Sequence, residues 1–239
     1  MRPSRAHVAA VATLLAAAME PSRARADCAT SAAVDAARPN VHDAELRLTW
    51  IDSELARGAR PARTWVWGWG IALGVGTIAN LVPVPFVRHD ERVDWYTGAA
   101  TTGVGVVPLL VAPPKIIADA RALHASLGAR AGGDGRDTCA LLADAETRLV
   151  RDAENQADGR RWWVHAGNVV LNAGVGAFLI IGFHHWGAGL WNAASGAAIG
   201  EVIIFTQPTT AIDSLRRYRE GGLDGGAAPW TTLGFARAF

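Results

Sequence analysis

Residues 161–208 read RWWVHAGNVVLNAGVGAFLIIGFHHWGAGLWNAASGAAIGEVIIFTQP, a stretch with no formal charge between Arg161 and Glu201. A membrane-spanning helix needs about 20 predominantly apolar residues. The run is therefore long enough to cross a bilayer, turn at His184-His185-Trp186 and cross back. The spacing predicts crossings over 162–183 and 187–207, with Trp162, Trp163, Trp186 and Trp191 near their ends, where indole rings favour the headgroup level.

Working outward, the first half of the chain carries a similar pair. Thr64 to Val87 is free of charge and opens with Trp65, Trp67 and Trp69, which predicts a crossing over 65–86 that ends at Pro83 and Pro85. A short polar turn, Arg88 to Asp94, precedes a return over 95–114, in which Pro108 would kink the helix. The alternation of Gly with apolar residues over 70–76 could also suit strands of an outer-membrane barrel. Four strands cannot close one, since such barrels begin at about eight. The expected fold class is all-α: a polytopic membrane protein with four transmembrane helices as two tandem helical hairpins and flanking amphipathic helices.

Outside the crossings, Val41, Ala44, Leu48, Ile51 and Leu55 fall on one face of a helix, which Gly58 and Pro61 are expected to end before the bilayer. Ile116, Ala120, Leu123 and Leu127 keep the same spacing, as do Leu142, Ala145, Leu149 and Ala153. Residues 128–138 read as a Gly-rich loop. The segment Asp43-Ala44-Glu45-Leu46-Arg47-Leu48 corresponds to Asp144-Ala145-Glu146-Thr147-Arg148-Leu149, Gly74-Val75-Gly76 to Gly174-Val175-Gly176, Trp95 to Trp191 and Gly103 to Gly200. That order predicts a duplication, with a first repeat over 27–127, a second over 139–220 and a Gly-rich tail over 221–239. Two crossings per repeat return the chain to its starting side, so both amphipathic helices would share one face of the membrane.

Residues 1–26 combine Arg2 and Arg5, the apolar run His7 to Met19 and Ala24-Arg25-Ala26, the three parts of a signal peptide. Cys28 and Cys139 are the only two cysteines. If both are exported, the simplest expectation is one disulfide between them. Counting Lys and Arg opposes export, because the side bearing Arg57, Arg60, Arg63, Lys115, Arg160 and Arg161 is the more basic. The expectation adopted is a bacterial-type inner membrane with the N-terminus exported. A balance of 23 basic against 22 acidic residues offers no polyanion-binding surface, so nucleic acid is not an expected partner. The partners expected are the lipid bilayer and either other proteins or further copies of this chain.

The chemistry the sequence offers is sparse. Glu201 is the one formal charge inside a crossing, costly by roughly 2.5–3.5 kcal/mol on insertion scales and so expected to face the bundle. His165, Asn168 and Asn172 lie three and four apart on the third crossing at a similar depth, and a hydrogen bond from Glu201 to one of them is expected. The second repeat has this acid where the first has Val104. His184 and His185 could ligate a metal, but two ligands do not make a zinc site, and no acidic residue lies near them in sequence. Gly70, Gly74, Gly98, Gly167, Gly174, Gly196 and Gly200 are the candidates for close helix packing. No catalytic triad, P-loop, dinucleotide fingerprint or metal-ligand spacing occurs, so neither enzymatic activity nor a cofactor is expected. Two functions fit: an envelope protein that scaffolds or recruits partners through its amphipathic helices, or a small transporter or channel with a polar pathway around Glu201.

Overall fold

The computed structural model describes residues 39–131 and 138–220. The signal-type segment, Cys28, most of the Gly-rich loop and the tail over 221–239 lie outside the described residues. Those described form helices joined by short turns, with no strand among them. In chain order the helices are α1 (Pro39–Leu81), α2 (Arg92–Val111), α3 (Ile116–Ala131), α4 (Thr138–Asp158), α5 (Trp162–Phe183), α6 (Trp186–Phe205) and α7 (Thr210–Arg219). Among the described residues, three segments are long and apolar enough to cross a membrane, Arg92–Arg130, Trp162–Phe183 and Trp186–Arg219. Their apolar parts are α2, α5 and α6, and they make this a helical membrane protein.

The amphipathic stretch beginning near Val41 does not end at Gly58 or Pro61. Instead α1 runs unbroken for 43 residues with Pro61 inside it, about 65 Å at 1.5 Å per residue. Tertiary packing outweighs the local signal here. Ala59 and Ala62, on either side of the proline, are fully buried. A side chain at Gly58 would come within 2.5 Å of Ile116 and 2.7 Å of Thr210. This glycine admits two neighbouring helices rather than stopping its own. At the other end α1 stops at Leu81, short of the 65–86 expected, and residues 82–87 form turns around Pro83 and Pro85. Neither proline can donate a helical hydrogen bond.

The first half of α1 joins α3, α4 and α7 in a helical bundle. Its core holds most of the residues that the helical spacing singles out: Ala44, Leu48, Ile51 and Leu55 of α1, Ile116, Ala120 and Leu123 of α3, and Leu142, Ala145, Leu149 and Ala153 of α4 are buried, Leu127 is only partly covered, and the side chain of Val41 lies outside what is described. Each helix thus removes its apolar stripe from water by covering another's, worth roughly 1.5–3 kcal/mol per large aliphatic side chain. Charged side chains tie the bundle across helices. Glu54, itself buried, accepts hydrogen bonds from the Ser214 hydroxyl (2.7 Å), Arg217 (2.6 Å) and Arg57. Glu146 of α4 pairs with Arg47 of α1 and with the Tyr218 hydroxyl of α7. Burial and the adjacent Glu146 carboxylate hold that hydroxyl well above the usual tyrosine range.

The second half of α1 packs antiparallel on α2. Leu73 lies over Gly105, the Thr77 hydroxyl is 3.0 Å from that of Thr102, and Asn80 fills the space left by Gly98. Helices α5 and α6 pack in the same sense, Asn168 against Gly200, Asn172 against Gly196 and Gly176 against Gly189. The glycine expectation holds only in part. Gly98, Gly196 and Gly200 do make close contacts, but at Gly70, Gly74, Gly167 and Gly174 nothing beyond the adjoining backbone of the same helix lies within 4 Å of where a Cβ would stand. These four face outward, a side of the helix that periodicity alone does not identify.

Candidate functional site

Helices α5 and α6 bring Glu201, His165, Asn168 and Asn172 together, and glycine makes the arrangement possible. A Cβ on Gly200 or Gly196 would stand 2.0 Å from the side-chain oxygen of Asn168 or Asn172 respectively, so only a bare backbone admits these amides between the helices. The Asn168 amide donates to the Ala197 carbonyl and to Glu201 Oε1, both at 2.9 Å. Asn172, which is buried, donates in turn to the backbone carbonyl of Asn168 (2.8 Å) and to its Oδ1 (2.9 Å). His165 Nδ1 lies 2.5 Å from Glu201 Oε2. Glu201 contacts His165 and Asn168 directly, whereas Asn172 reaches it only through Asn168.

This geometry lets one proton be shared between an imidazole and a carboxyl at the depth of the membrane. The pair is not sealed, since both side chains keep just over a quarter of their surface open. Val104 of α2, which the expected duplication would align with Glu201, points outward and is 61% exposed. Antiparallel packing of two such helices therefore does not require an acid there.

His185 has a partner that sequence proximity could not reveal: its Nδ1 lies 2.7 Å from Asp94 Oδ1 at the start of α2. The pair links the α5–α6 turn to α2. His184 adopts the left-handed backbone conformation (φ 60°). With it, His184 N–H donates to the Ile180 carbonyl and His185 N–H to that of Leu179, the hydrogen bonds of a helix end that usually takes glycine. Cys139 is not a free thiol. Cys28 lies outside the described residues, and the bridge remains an expectation.

A second polar cluster lies inside the bundle of α1, α3, α4 and α7. Asp152 is 1% exposed, and among the described residues no donor reaches either of its carboxylate oxygens. Nearby, Asp119 is bound by Arg148 (3.0 Å) and Arg151 (2.6 Å). Gln156, one turn after Asp152 and also buried, accepts from the Ala211 N–H near the start of α7, while its own amide nitrogen has no partner among the described residues. Both residues share the face of α4 that carries Leu149 and Ala153. The sequence held a usable signal. The offset that carries Leu48 to Leu149 also carries Ile51 to Asp152 and Leu55 to Gln156, so two polar residues stand where the first half has aliphatic ones.

Compared with known proteins, the chain matches no family model, no curated protein and no solved structure.

Proposed function

We propose that the chain is a cell-envelope membrane protein with four crossings arranged as two hairpins, whose extramembrane bundle is a platform that gathers partner proteins. The observation that carries this reading is α1, which continues without a break from the bundle core into the segment paired with α2. A platform built on such a helix is held at fixed orientation to the membrane. The second half of α1 supplies the fourth crossing. Its three Trp and Asn80 lower its apolarity, but they suit a boundary and a helix contact. Two links support four crossings side by side. The indoles of Trp65 and Trp69 donate to the Thr206 hydroxyl (3.3 and 3.0 Å) at one level, and Asp94 meets His185 at the other.

Because the apolar faces of the amphipathic helices cover one another, recruitment would use the outer face of α1, where Leu46, Thr49 and Ser53 are exposed. Deleting 41–55 would remove Leu48, Ile51 and Leu55 from the core and destroy the platform itself. Photo-crosslinking residues placed at Thr49 and Ser53 should instead capture a second protein in cells, with a lipid-facing position such as Ile71 as control. Adducts to lipid or to nothing at Thr49 and Ser53 would remove the platform reading.

A second reading, proton or cation handling at Glu201, is favoured by its contact with His165 and by the absence of an acid at Val104. In proteoliposomes Glu201→Gln should keep the Asn168 hydrogen bond but abolish pH-dependent ion flux. If wild-type vesicles carry no flux, or if the Gln protein matches them, the cluster is a helix-to-helix bond only.

A further inference from the structure

The outer side of the α1–α2 pair carries a groove of about 430 Å³ that the platform reading does not use. Two guanidinium groups, Arg63 of α1 and Arg121 of α3, line it together with Trp67, Ile71, Val106 and Leu110. Trp67, Ile71 and Leu110 are each more than 60% exposed. Arg63 lies two residues before Trp65, at the level where Trp65 and Trp69 reach Thr206. Arg121 stands in the second turn of α3, just after the chain leaves the α2 crossing. Among the described residues neither Arg63 nor Arg121 has a carboxylate within ion-pair distance, and the one hydrogen bond from Arg121 goes to its own helix, at the Ile117 carbonyl.

We infer that this groove is a binding site for an anionic phospholipid, with the phosphate held between Arg63 and Arg121 and one acyl chain lying along Trp67, Ile71, Val106 and Leu110. Three features point to that occupant. The two charges at one end call for an anion with several acceptor oxygens, which guanidinium groups bind through parallel hydrogen bonds. The remaining wall is apolar and belongs to helices at membrane depth, so the ligand must continue as hydrocarbon. The charged end coincides with the aromatic boundary, where a headgroup sits. Gly70, which also lines the groove, leaves open the space a side chain would occupy. The inference rests on α1 lying beside α2 in the bilayer, and not on what the platform recruits.

Purified full-length protein in detergent is titrated with phosphatidylglycerol and with phosphatidylcholine of the same acyl chains, and bound lipid is counted by native mass spectrometry. The wild type should retain one phosphatidylglycerol in preference to phosphatidylcholine. Joint replacement Arg63→Gln and Arg121→Gln should weaken phosphatidylglycerol by about thirtyfold, from two charges near an anionic surface. Gly70→Phe, which has room to fold, should block the acyl path and weaken both lipids while leaving the arginines intact. Equal retention of the two lipids by the wild type, unchanged phosphatidylglycerol binding in either variant, or binding of glycerol 3-phosphate as tight as that of the lipid would overturn the inference. So would a dimer that Gly70→Phe converts to monomer with lipid still bound, which would give the groove to a second copy of the chain. Membrane insertion is read separately, from resistance to carbonate extraction. A protein that inserts without lipid selectivity sinks this site and leaves the four-crossing reading standing.

Discussion

Replacing Asp152 with asparagine should raise the thermal midpoint of the detergent-purified protein at pH 8 by roughly 5 °C, an increment expected when about 2 kcal/mol is gained in a chain of this size. It should also remove a pH dependence that the wild type has. Burial first, and then the charge of Asp119 and a hydrogen bond that the protonated acid gives it, push the Asp152 carboxyl up to about 8 from its ordinary 3.8, against the opposing pull of Arg151 and Arg148. The folded chain therefore holds a proton that the unfolded chain has released anywhere between those two values. By linkage, the contribution of this group is fully present below about pH 3.8, declines as the pH rises and is gone above about 8. Asparagine copies the shape of the neutral acid and never ionises, so it escapes the decline. The readout is the difference in midpoint between variant and wild type from pH 5 to 8.5, which cancels the carboxylates common to both. That difference should grow with pH. A difference that is constant, or a variant less stable than wild type at pH 8, would show that Asp152 is ionised and satisfied in the folded state.

Asp152 also marks where the sequence was legible and where it was not. Helical periodicity found the buried faces of α1, α3 and α4, because Leu48, Ile51, Leu123, Leu142 and Leu149 each recur at the spacing of one helix face and each is covered by another helix. For α5, the charge at Arg161 and the polar turn at His184-His185 mark the two ends, and the helix runs between them, Trp162–Phe183. What failed were local rules overridden by contacts distant in sequence. Pro61 and Gly58 carry a stop signal, yet α3 and α7 pack against that stretch and hold the helix through it. His185 lacks an acid within its own segment, but α2 supplies Asp94. The polar cluster at Glu201 was readable because a carboxylate in a crossing has few places to go and the amides of Asn168 and Asn172 lie on one face of α5. The identity of its glycine sockets was not, because small residues occur on every side of these helices and only the packing says which ones touch.

That distinction gives the last expected result, in which two glycines two residues apart on α5 should respond in opposite ways. At Gly176 an added Cβ would stand 2.7 Å from the Gly189 carbonyl oxygen and 2.8 Å from the Ala193 Cβ. Neither atom lies at the end of a flexible side chain, so α5 and α6 would have to separate along their length. Between membrane helices that contact is the attraction itself, since lipid is as apolar as the side chains and close backbone packing takes the place of the hydrophobic drive. Overpacking of this kind costs about 1–3 kcal/mol, and separation would also lengthen the Asn168 bonds to Ala197 and Glu201. At Gly174 nothing beyond the adjoining backbone of α5 lies within 4 Å of the corresponding position. A leucine there points into open space beside α5 and gains up to about 1 kcal/mol in helix propensity over glycine. After heating in detergent, Gly176→Leu should lose most of its monodisperse fraction at a temperature where wild type and Gly174→Leu keep theirs. Gly176→Ala should fall between, because a single methyl already meets the Gly189 carbonyl. If Gly174→Leu is the more damaged protein, then the face of α5 bearing Gly174 is the one packed against a helix, and the pairing of Asn168 with Gly200 and Asn172 with Gly196 is out of register.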